Sequence, residues 1–201
     1  MNSRLSLIFL PTDSFTGSNE MEGDFDLRLY KYGDNGMLED KEREYHRKNT
    51  GHYVFVNLPG GNYRIEAGGM YYAGEQRDLV LSEDVSYVNE STGEQVFPGE
   101  EMTFAPSPYY PFPEGTTYLV GQLVDSAGAA VPSAAVELME DGRESTSDKR
   151  GKFVFHLTGI KGSKKLNLNI SREGYQGETS QVTVEEGKRN FETIELVQTP
   201  I

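Results

Sequence analysis

Short stretches in which apolar and polar residues alternate recur along this chain. Apolar residues take every second position of 25–30 and of 135–138, and similar alternations follow Gly51 and Gly151. A period of two places the apolar side chains on one face of a β-strand. The chain also holds 22 glycines, 9 prolines and 12 tyrosines, which supply turns and β-favouring rings. We therefore predict an all-β fold.

One arrangement of these stretches occurs twice. Gly51-His52-Tyr53-Val54-Phe55 has the same pattern as Gly151-Lys152-Phe153-Val154-Phe155. The neighbouring stretches correspond in the same order: 5–10 with 118–124, 25–30 with 135–138, 62–67 with 166–170, and Tyr71-Tyr72 with Gly174-Tyr175. The polar residues 11–13 and 125–128 are predicted turns after the two opening strands. An internal repeat of this length predicts two tandem β-sandwiches in which the strands after Gly51 and Gly151 are the same element.

Each copy is long enough to bury a modest core of its own. The alternation predicts which side chains form it, although either phase is open in each strand. The expected residues are Leu7, Phe9, Leu27, Leu29, Val54 and Val56, or their strand neighbours, in the first copy, and Leu123, Val136, Leu138, Phe153, Phe155, Leu168 and Ile170 in the second.

The second copy resembles the carboxypeptidase regulatory-like domain over residues 117–198. The residues that carry the resemblance are Gly121-Gln122-Leu123-Val124-Asp125, Gly128, Val131-Pro132, Ala135-Val136-Glu137-Leu138, Ser147-Asp148, Gly151 to Phe155, Gly174-Tyr175 and Val182-Thr183-Val184. The resemblance implies a seven-stranded prealbumin-like sandwich of Ig-like Greek-key type that is usually a non-catalytic appendage. Residues 1–105 are similar to it more loosely. We predict an N-terminal acidic sandwich at 1–105, a linker at 106–116 and a C-terminal sandwich at 117–201.

The segment 37–48 departs from the strand pattern. It is rich in helix-forming residues and holds opposite charges at helical spacings. Only Leu38 and Tyr45 could form an apolar stripe, so a helix would have little surface to bury. We predict a solvated hairpin or loop, with a short helix as the alternative.

Negative charge is concentrated in the first copy. Residues 1–105 hold 19 acidic side chains against 9 Lys and Arg, whereas 106–201 hold 13 against 10, so the net charges are −10 and −3. Such a field repels nucleic-acid phosphates and anionic lipid surfaces. We expect no nucleic-acid partner and no membrane insertion. The apolar run 5–10 is shorter than a secretory signal requires and is better interpreted as a strand, so a cytoplasmic location is expected, with a particle released by lysis as the alternative.

Catalytic chemistry has few candidate residues. The chain has no cysteine, and its three histidines, His46, His52 and His156, do not share a helical spacing. Transthyretin-like folds include a hydrolase of a purine-degradation product, but that family's terminal Tyr-Arg-Gly-Ser sequence is missing here. The acidic run Glu20, Glu22, Asp24 and Asp26 could meet a calcium ion but lacks EF-hand spacing. We predict that the protein is not an enzyme and has no catalytic, cofactor-binding or metal-binding residue.

Prolines alternate with aromatic rings between the two copies, from Phe104 to Gly115. Prolines favour an extended, semi-rigid spacer. The rings of Tyr109, Tyr110 and Phe112 need a surface to cover them. We predict that they form the seam between the domains, and the alternative is that they stay exposed as anchors for a protein or sugar partner.

These observations favour a non-catalytic structural or adaptor protein whose tandem sandwiches brace or decorate a larger protein assembly. A phage-tail-like or contractile particle is one such assembly. A carbohydrate-binding or adhesion module is the first alternative, and a hydrolase of unknown type is the second. Protein partners are therefore expected, with carbohydrate as the alternative ligand.

Overall fold

The computed structural model describes residues 5–39, 43–81, 87–88, 95–96 and 99–199. The chain divides into two compact units, Met1–Tyr110 (unit 1) and Pro111–Ile201 (unit 2). Every regular element in the described ranges is a β-strand. The predicted all-β fold with two tandem sandwiches is therefore confirmed.

Unit 1 contains two main sheets. Its strands are β1 (Leu5–Asp13), β2 (Phe25–Lys31), β3 (Tyr45–Arg47), β4 (Tyr53–Val56), β5 (Gly61–Gly69), β6 (Glu75–Leu81), β7 (Tyr87–Val88), β8 (Gln95–Val96) and β9 (Gly99–Phe104). One sheet has the order β3-β4-β1-β9 and the other has the order β2-β5-β6. The short strands β7 and β8 pair only with each other in the described part of the chain.

Unit 2 has seven strands in its described residues. They are β10 (Tyr118–Asp125), β11 (Ala135–Leu138), β12 (Arg143–Thr146), β13 (Lys152–His156), β14 (Ser163–Ser171), β15 (Glu178–Glu185) and β16 (Arg189–Leu196). They form the sheets β13-β10-β16 and β12-β11-β14-β15. Residues 105–117, between β9 and β10, are called the junction segment below.

The two units share the topology of all but their third strand. The first strand of each unit, β1 or β10, pairs antiparallel with β4 or β13 and parallel with the last strand, β9 or β16. Leu7 faces Phe55 in unit 1, and Leu119 faces Phe155 in unit 2. The predicted equivalence of the strands that follow Gly51 and Gly151 is therefore confirmed.

The third strand differs between the units. β3 lies on β4, whereas β12 lies on β11 in the opposite sheet. Before it reaches β4, the chain of unit 1 passes along β2, where the amides of Glu39 and Arg43 donate to the carbonyls of Lys31 and Leu29 (both 2.8 Å). The predicted helix alternative for 37–48 is not found in its described residues, 37–39 and 43–48; residues 40–42 lie outside the described ranges.

β1 is longer than the sequence indicated. Residues 11–13 were expected to turn, but β1 continues to Asp13 and pairs with β9 there. The pairing of β1 with β4 ends at Phe9. Among the described strands, Pro11 is therefore paired on one side, with β9. A proline is tolerated at such a position because its missing N–H is not required by a second neighbour.

Each unit has its own apolar core. All seven core residues predicted in unit 2 are buried, as are Leu7, Phe9, Leu27 and Leu29 in unit 1. In β4 the strand neighbours of the expected residues face the core. Tyr53 and Phe55 point inward, and Val54 and Val56 are half-buried. The inward rings make edge contacts, with Tyr53 6.2 Å from Phe9 between centroids. The larger aromatic rings therefore decided the phase that alternation left open.

Glycine is required before β4 and β13. Gly51 and Gly151 have φ angles of 81° and 74°, a conformation that other residues rarely adopt. A Cβ atom on Gly51 would lie 2.4 Å from the Asn19 carbonyl oxygen, and one on Gly151 would lie 2.4 Å from the Leu123 carbonyl oxygen. The repeated glycine thus permits both a left-handed turn and a close approach of two backbones.

We expect Gly151→Ala to destabilise unit 2 more than Gly128→Ala does. Both glycines have a similar positive φ, but the added Cβ at Gly128 meets nothing within 4 Å. Gly128→Ala should cost about 1 kcal/mol from backbone strain, and Gly151→Ala roughly 2–5 kcal/mol because packed backbone must also move. Hydrogen exchange of the core amides of unit 2 measures both losses. Equal losses would contradict the close-approach explanation.

Candidate functional site: the junction segment and its anchors

The first part of the junction segment is hydrogen-bonded to the turn between β5 and β6. Pro106 forms an isolated antiparallel β-bridge with Tyr72, and the Ser107 amide donates to the Tyr71 carbonyl at 2.8 Å. The Ser107 hydroxyl donates to the Met70 carbonyl at 2.6 Å. These bonds make the beginning of the predicted linker, 106–116, a part of unit 1.

The same attachment follows the last strand of unit 2. Gln198 forms a bridge with Tyr175, and the Thr199 amide donates to the Gly174 carbonyl at 3.0 Å. Tyr72 and Tyr175 therefore occupy equivalent positions, as the match of Tyr71-Tyr72 with Gly174-Tyr175 predicted. The repeat extends beyond the strands into the segments through which the chain leaves each unit.

Tyr110 is held inside unit 1 by a buried carboxylate. The hydroxyl of Tyr110 donates to Oδ2 of Asp13 at 2.5 Å, and the hydroxyl of Tyr72 donates to the same oxygen at 3.1 Å. The Glu22 amide donates to the Tyr72 hydroxyl at 2.9 Å. The Tyr110 ring also packs edge-on against Phe15, 5.5 Å between centroids. Asp13, Tyr72 and Tyr110 are called the Asp13 clamp below.

The second oxygen of Asp13 shapes the turn that follows β1. Oδ1 accepts hydrogen bonds from the amides of Phe15 (2.7 Å) and Thr16 (3.4 Å). With the two phenols, the carboxylate has four donors although its side chain is 0% exposed. A buried carboxylate needs this number of donors because it has left water.

The protein interior keeps both phenols protonated. Burial raises the pKa of Tyr72, the hydrogen bond from the Glu22 amide opposes this, and the nearby Asp13 carboxylate adds to it, so that the pKa is about 12. Burial, followed by the hydrogen bond to Asp13, raises the pKa of Tyr110 above its ordinary value. Both side chains therefore act as hydrogen-bond donors at neutral pH.

Unit 2 has a simpler counterpart of Asp13. Asp125 also ends the first strand of its unit, and its Oδ1 accepts hydrogen bonds from the amides of Ala127 (2.9 Å) and Ala129 (2.8 Å). An aspartate that follows a strand commonly closes a turn in this way. The sequence holds a signal for this role, because Asp-Ser occurs at both 13–14 and 125–126. It holds no signal for the two tyrosines that Asp13 also binds.

Phe112 belongs to unit 2. Its ring lies 4.4 Å from that of Tyr118 and is stacked on the imidazole of His156 at 6.0 Å, between centroids. Tyr118 and His156 are cross-strand partners in β10 and β13. Since Leu119 of β10 faces the core, these rings lie on the outer face of that sheet.

The structure therefore assigns the three predicted contact residues to different surroundings. Tyr110 is buried in unit 1, and Phe112 packs on unit 2. Tyr109 is half-buried, and its amide donates to the Ser107 hydroxyl at 3.1 Å. A seam or partner role for the three side chains stays a prediction. Sequence reasoning missed Asp13, Tyr72 and Ser107, which hold this segment.

The other candidate residues are dispersed. His46 is exposed on β3, Nδ1 of His52 lies 2.9 Å from the Thr50 hydroxyl, and His156 is in unit 2. Burial and the nearby Arg143 guanidinium lower the pKa of His156. The described ranges contain no group of three His, Asp or Glu side chains arranged to hold a metal ion.

The four acidic side chains for which calcium was left open, Glu20, Glu22, Asp24 and Asp26, are solvent-exposed, and Asp26 pairs with Arg28 at 2.6 Å. No helix within the described ranges is long and apolar enough to cross a membrane.

Residues 118–197 match the family model of the carboxypeptidase regulatory-like domain. The resemblance predicted for the second copy is therefore confirmed over these residues. No curated protein matches the chain.

Several solved structures are similar to the chain. One is the minor pilin GBS52 of Streptococcus agalactiae, with 16% identity, a TM-score of 0.35, and coverage of 98% of this chain and 97% of the pilin. Another is the shaft pilin SpaA of Lactobacillus rhamnosus GG (D295N mutant), with 10% identity, a TM-score of 0.35 and full coverage of both chains at 100%. A third is the Bacillus anthracis TIE protein, with 15% identity, a TM-score of 0.32, and coverage of 98% of this chain and 34% of that protein.

We expect Tyr110→Phe to destabilise unit 1 by about 1.5–3 kcal/mol, because the buried Asp13 carboxylate loses a donor that water cannot replace. Hydrogen exchange of amides in β1, β4 and β5 measures the loss, while unit 2 amides should be unchanged. Tyr32→Phe is the matched control, since its hydroxyl donates to the exposed Asp78 at 2.9 Å. A loss for Tyr110→Phe no larger than for Tyr32→Phe would contradict a stabilising Asp13 clamp.

Acid should weaken unit 2 through His156. The folded state lowers the pKa of this imidazole below its ordinary value of about 6.5. Folding therefore favours the neutral form of the ring. The neutral His156 ring contributes fully to the stability of unit 2 above pH about 6.5. This contribution is lost as the pH falls from there through the lower folded-state pKa. The melting temperature of unit 2 should therefore fall as the pH drops below about 6.5, and less steeply in His156→Gln. Parallel profiles for the two proteins would contradict this.

Proposed function

We propose that the protein is a non-catalytic structural component of a larger protein assembly and that its tandem sandwiches act as a brace. The observation that carries this proposal is the anchoring of the junction segment at both ends. Tyr110 is fixed in the Asp13 clamp, Phe112 is fixed on Tyr118 and His156, and Pro111 is the only residue between them.

A connector of this kind leaves few backbone torsions free. The φ angle of Pro111 is set by its ring, and further prolines stand at 106, 108 and 113. Little conformational entropy is then lost when the two units are held in one arrangement by a partner. This property suits a protein that spaces or braces other proteins.

Repetition supports the same role. Each unit buries its own core, so each can present its outer faces to a partner without sharing a core with it. We propose that the assembly is a particle built from protein subunits, of which phage-tail-like and contractile particles are examples.

Insertion of Gly-Ser-Gly-Ser after Pro111 tests the proposal without removing any contact. We expect unchanged melting of both units, a broader small-angle scattering distance distribution, and loss of the protein from the high-mass fraction of native lysate. The control is the same insertion after Gly159, in an exposed loop where an added Cβ meets nothing within 4 Å. An insertion after Pro111 that leaves scattering and assembly unchanged would overturn the proposal.

A further inference from the structure

An open groove of about 660 Å³ lies at one end of the β2-β5-β6 sheet of unit 1. Tyr32, Asn62 and Val80 form a row across the groove, one from each of three neighbouring chain segments. The Tyr32 amide donates to the Asn62 carbonyl at 2.9 Å, and Asn62 is the cross-strand partner of Val80. Two strand spacings make this row roughly 10 Å long. Glycines 33, 36, 60 and 61 line the groove beside it.

The aromatic side of the groove is fixed in place. The Arg64 guanidinium lies 5.6 Å from the Tyr32 ring centroid, and the Tyr32 hydroxyl donates to Oδ1 of Asp78 at 2.9 Å. Arg64 also donates to both oxygens of Asp78, at 2.8 and 3.0 Å. A ring held from two directions is pre-organised, so a ligand that stacks on it need not order it first.

The charges around the groove are balanced. The Asp78 carboxylate is matched by Arg64, which holds the pKa of that carboxyl below its usual value. Lys31 and Asp34, which also line the groove, carry one charge of each sign. An ionic ligand would therefore find no excess of opposite charge. The Val80 side chain is 77% exposed and, with the Tyr32 ring, offers apolar surface to a ligand.

We propose that this groove binds a neutral saccharide. A sugar ring presents C–H groups on its faces and hydroxyl groups around its edge. The C–H groups would pack on Tyr32 and Val80, while the hydroxyls would bond to the side-chain amide of Asn62 and the remaining lone pairs of Asp78. Pockets that combine apolar surface with a few fixed polar groups bind small ligands of this kind. The inference goes beyond the structural role proposed above and does not depend on it.

The chain with both units should be tested on an array of immobilised neutral oligosaccharides, with sialylated and sulfated ones alongside. We expect binding to at least one neutral oligosaccharide and its loss in Val80→Arg and Asn62→Ala. Both side chains are exposed, so the melting temperature should not change. The matched control is Met139→Arg, an exposed apolar position in unit 2 that should bind like the wild type.

Three outcomes would overturn the proposal: no neutral oligosaccharide bound by the wild type, binding confined to charged oligosaccharides, or Val80→Arg binding as tightly as Met139→Arg. The variant with the insertion after Pro111 separates this proposal from the structural one. It leaves the groove intact, so it should bind sugar normally even where its assembly is lost.

Discussion

The parallel pairing of the first and last strands governs how each unit is closed and where its chain leaves. In unit 1 this ladder runs from Ile8 opposite Gly99 to Asp13 opposite Phe104. Parallel strands end at the same edge of a sheet, so the last strand delivers the chain to the place where the first strand finishes. The junction segment therefore begins beside Asp13. The same pairing brings Leu196 opposite Asp125 in unit 2.

This position explains why a carboxylate can be buried at the edge of unit 1. Asp13 is needed for the turn after β1, and the exit of the chain then covers it. An uncompensated buried carboxylate would be very costly, but two amides and two phenols replace its water. Because the donors come from the turn after β1, the turn after β5 and the junction segment, one side chain ties together three distant parts of the sequence. In unit 2 Asp125 serves its own turn and is half-exposed.

The features that could be predicted from sequence are those set by local pattern. Alternation identified the inward residues of β2 and β11, and the glycine before β4 and β13 revealed the repeat because its backbone conformation and close packing require that residue type. The phase of β4 depended on how Tyr53 packs against Phe9 and Phe25, which are distant in sequence. The sheet joined by β3 likewise depended on competition between the edges of β2 and β4.

The site was only partly predictable for the same reason. The aromatic composition of the junction segment indicated that its rings need a surface, but the surface of Tyr110 is built from residues about 40 and 100 positions away, which only the folded sheets bring together. The sequence around Asp13 indicates a turn residue. No local signal distinguishes an aspartate that closes a turn from one that also binds two buried phenols.

The exit segments of the two units are attached in the same way. The Tyr72 to Pro106 bridge and the Tyr175 to Gln198 bridge lead the chain out of the two sandwiches at equivalent places. A further sandwich joined after Ser107 or Thr199 would therefore begin from an equivalent backbone position, although Tyr110 in the Asp13 clamp also holds the chain beyond Ser107 in unit 1. Gene duplication could use the same property, because a second copy can be added in series without a change to the end of the first.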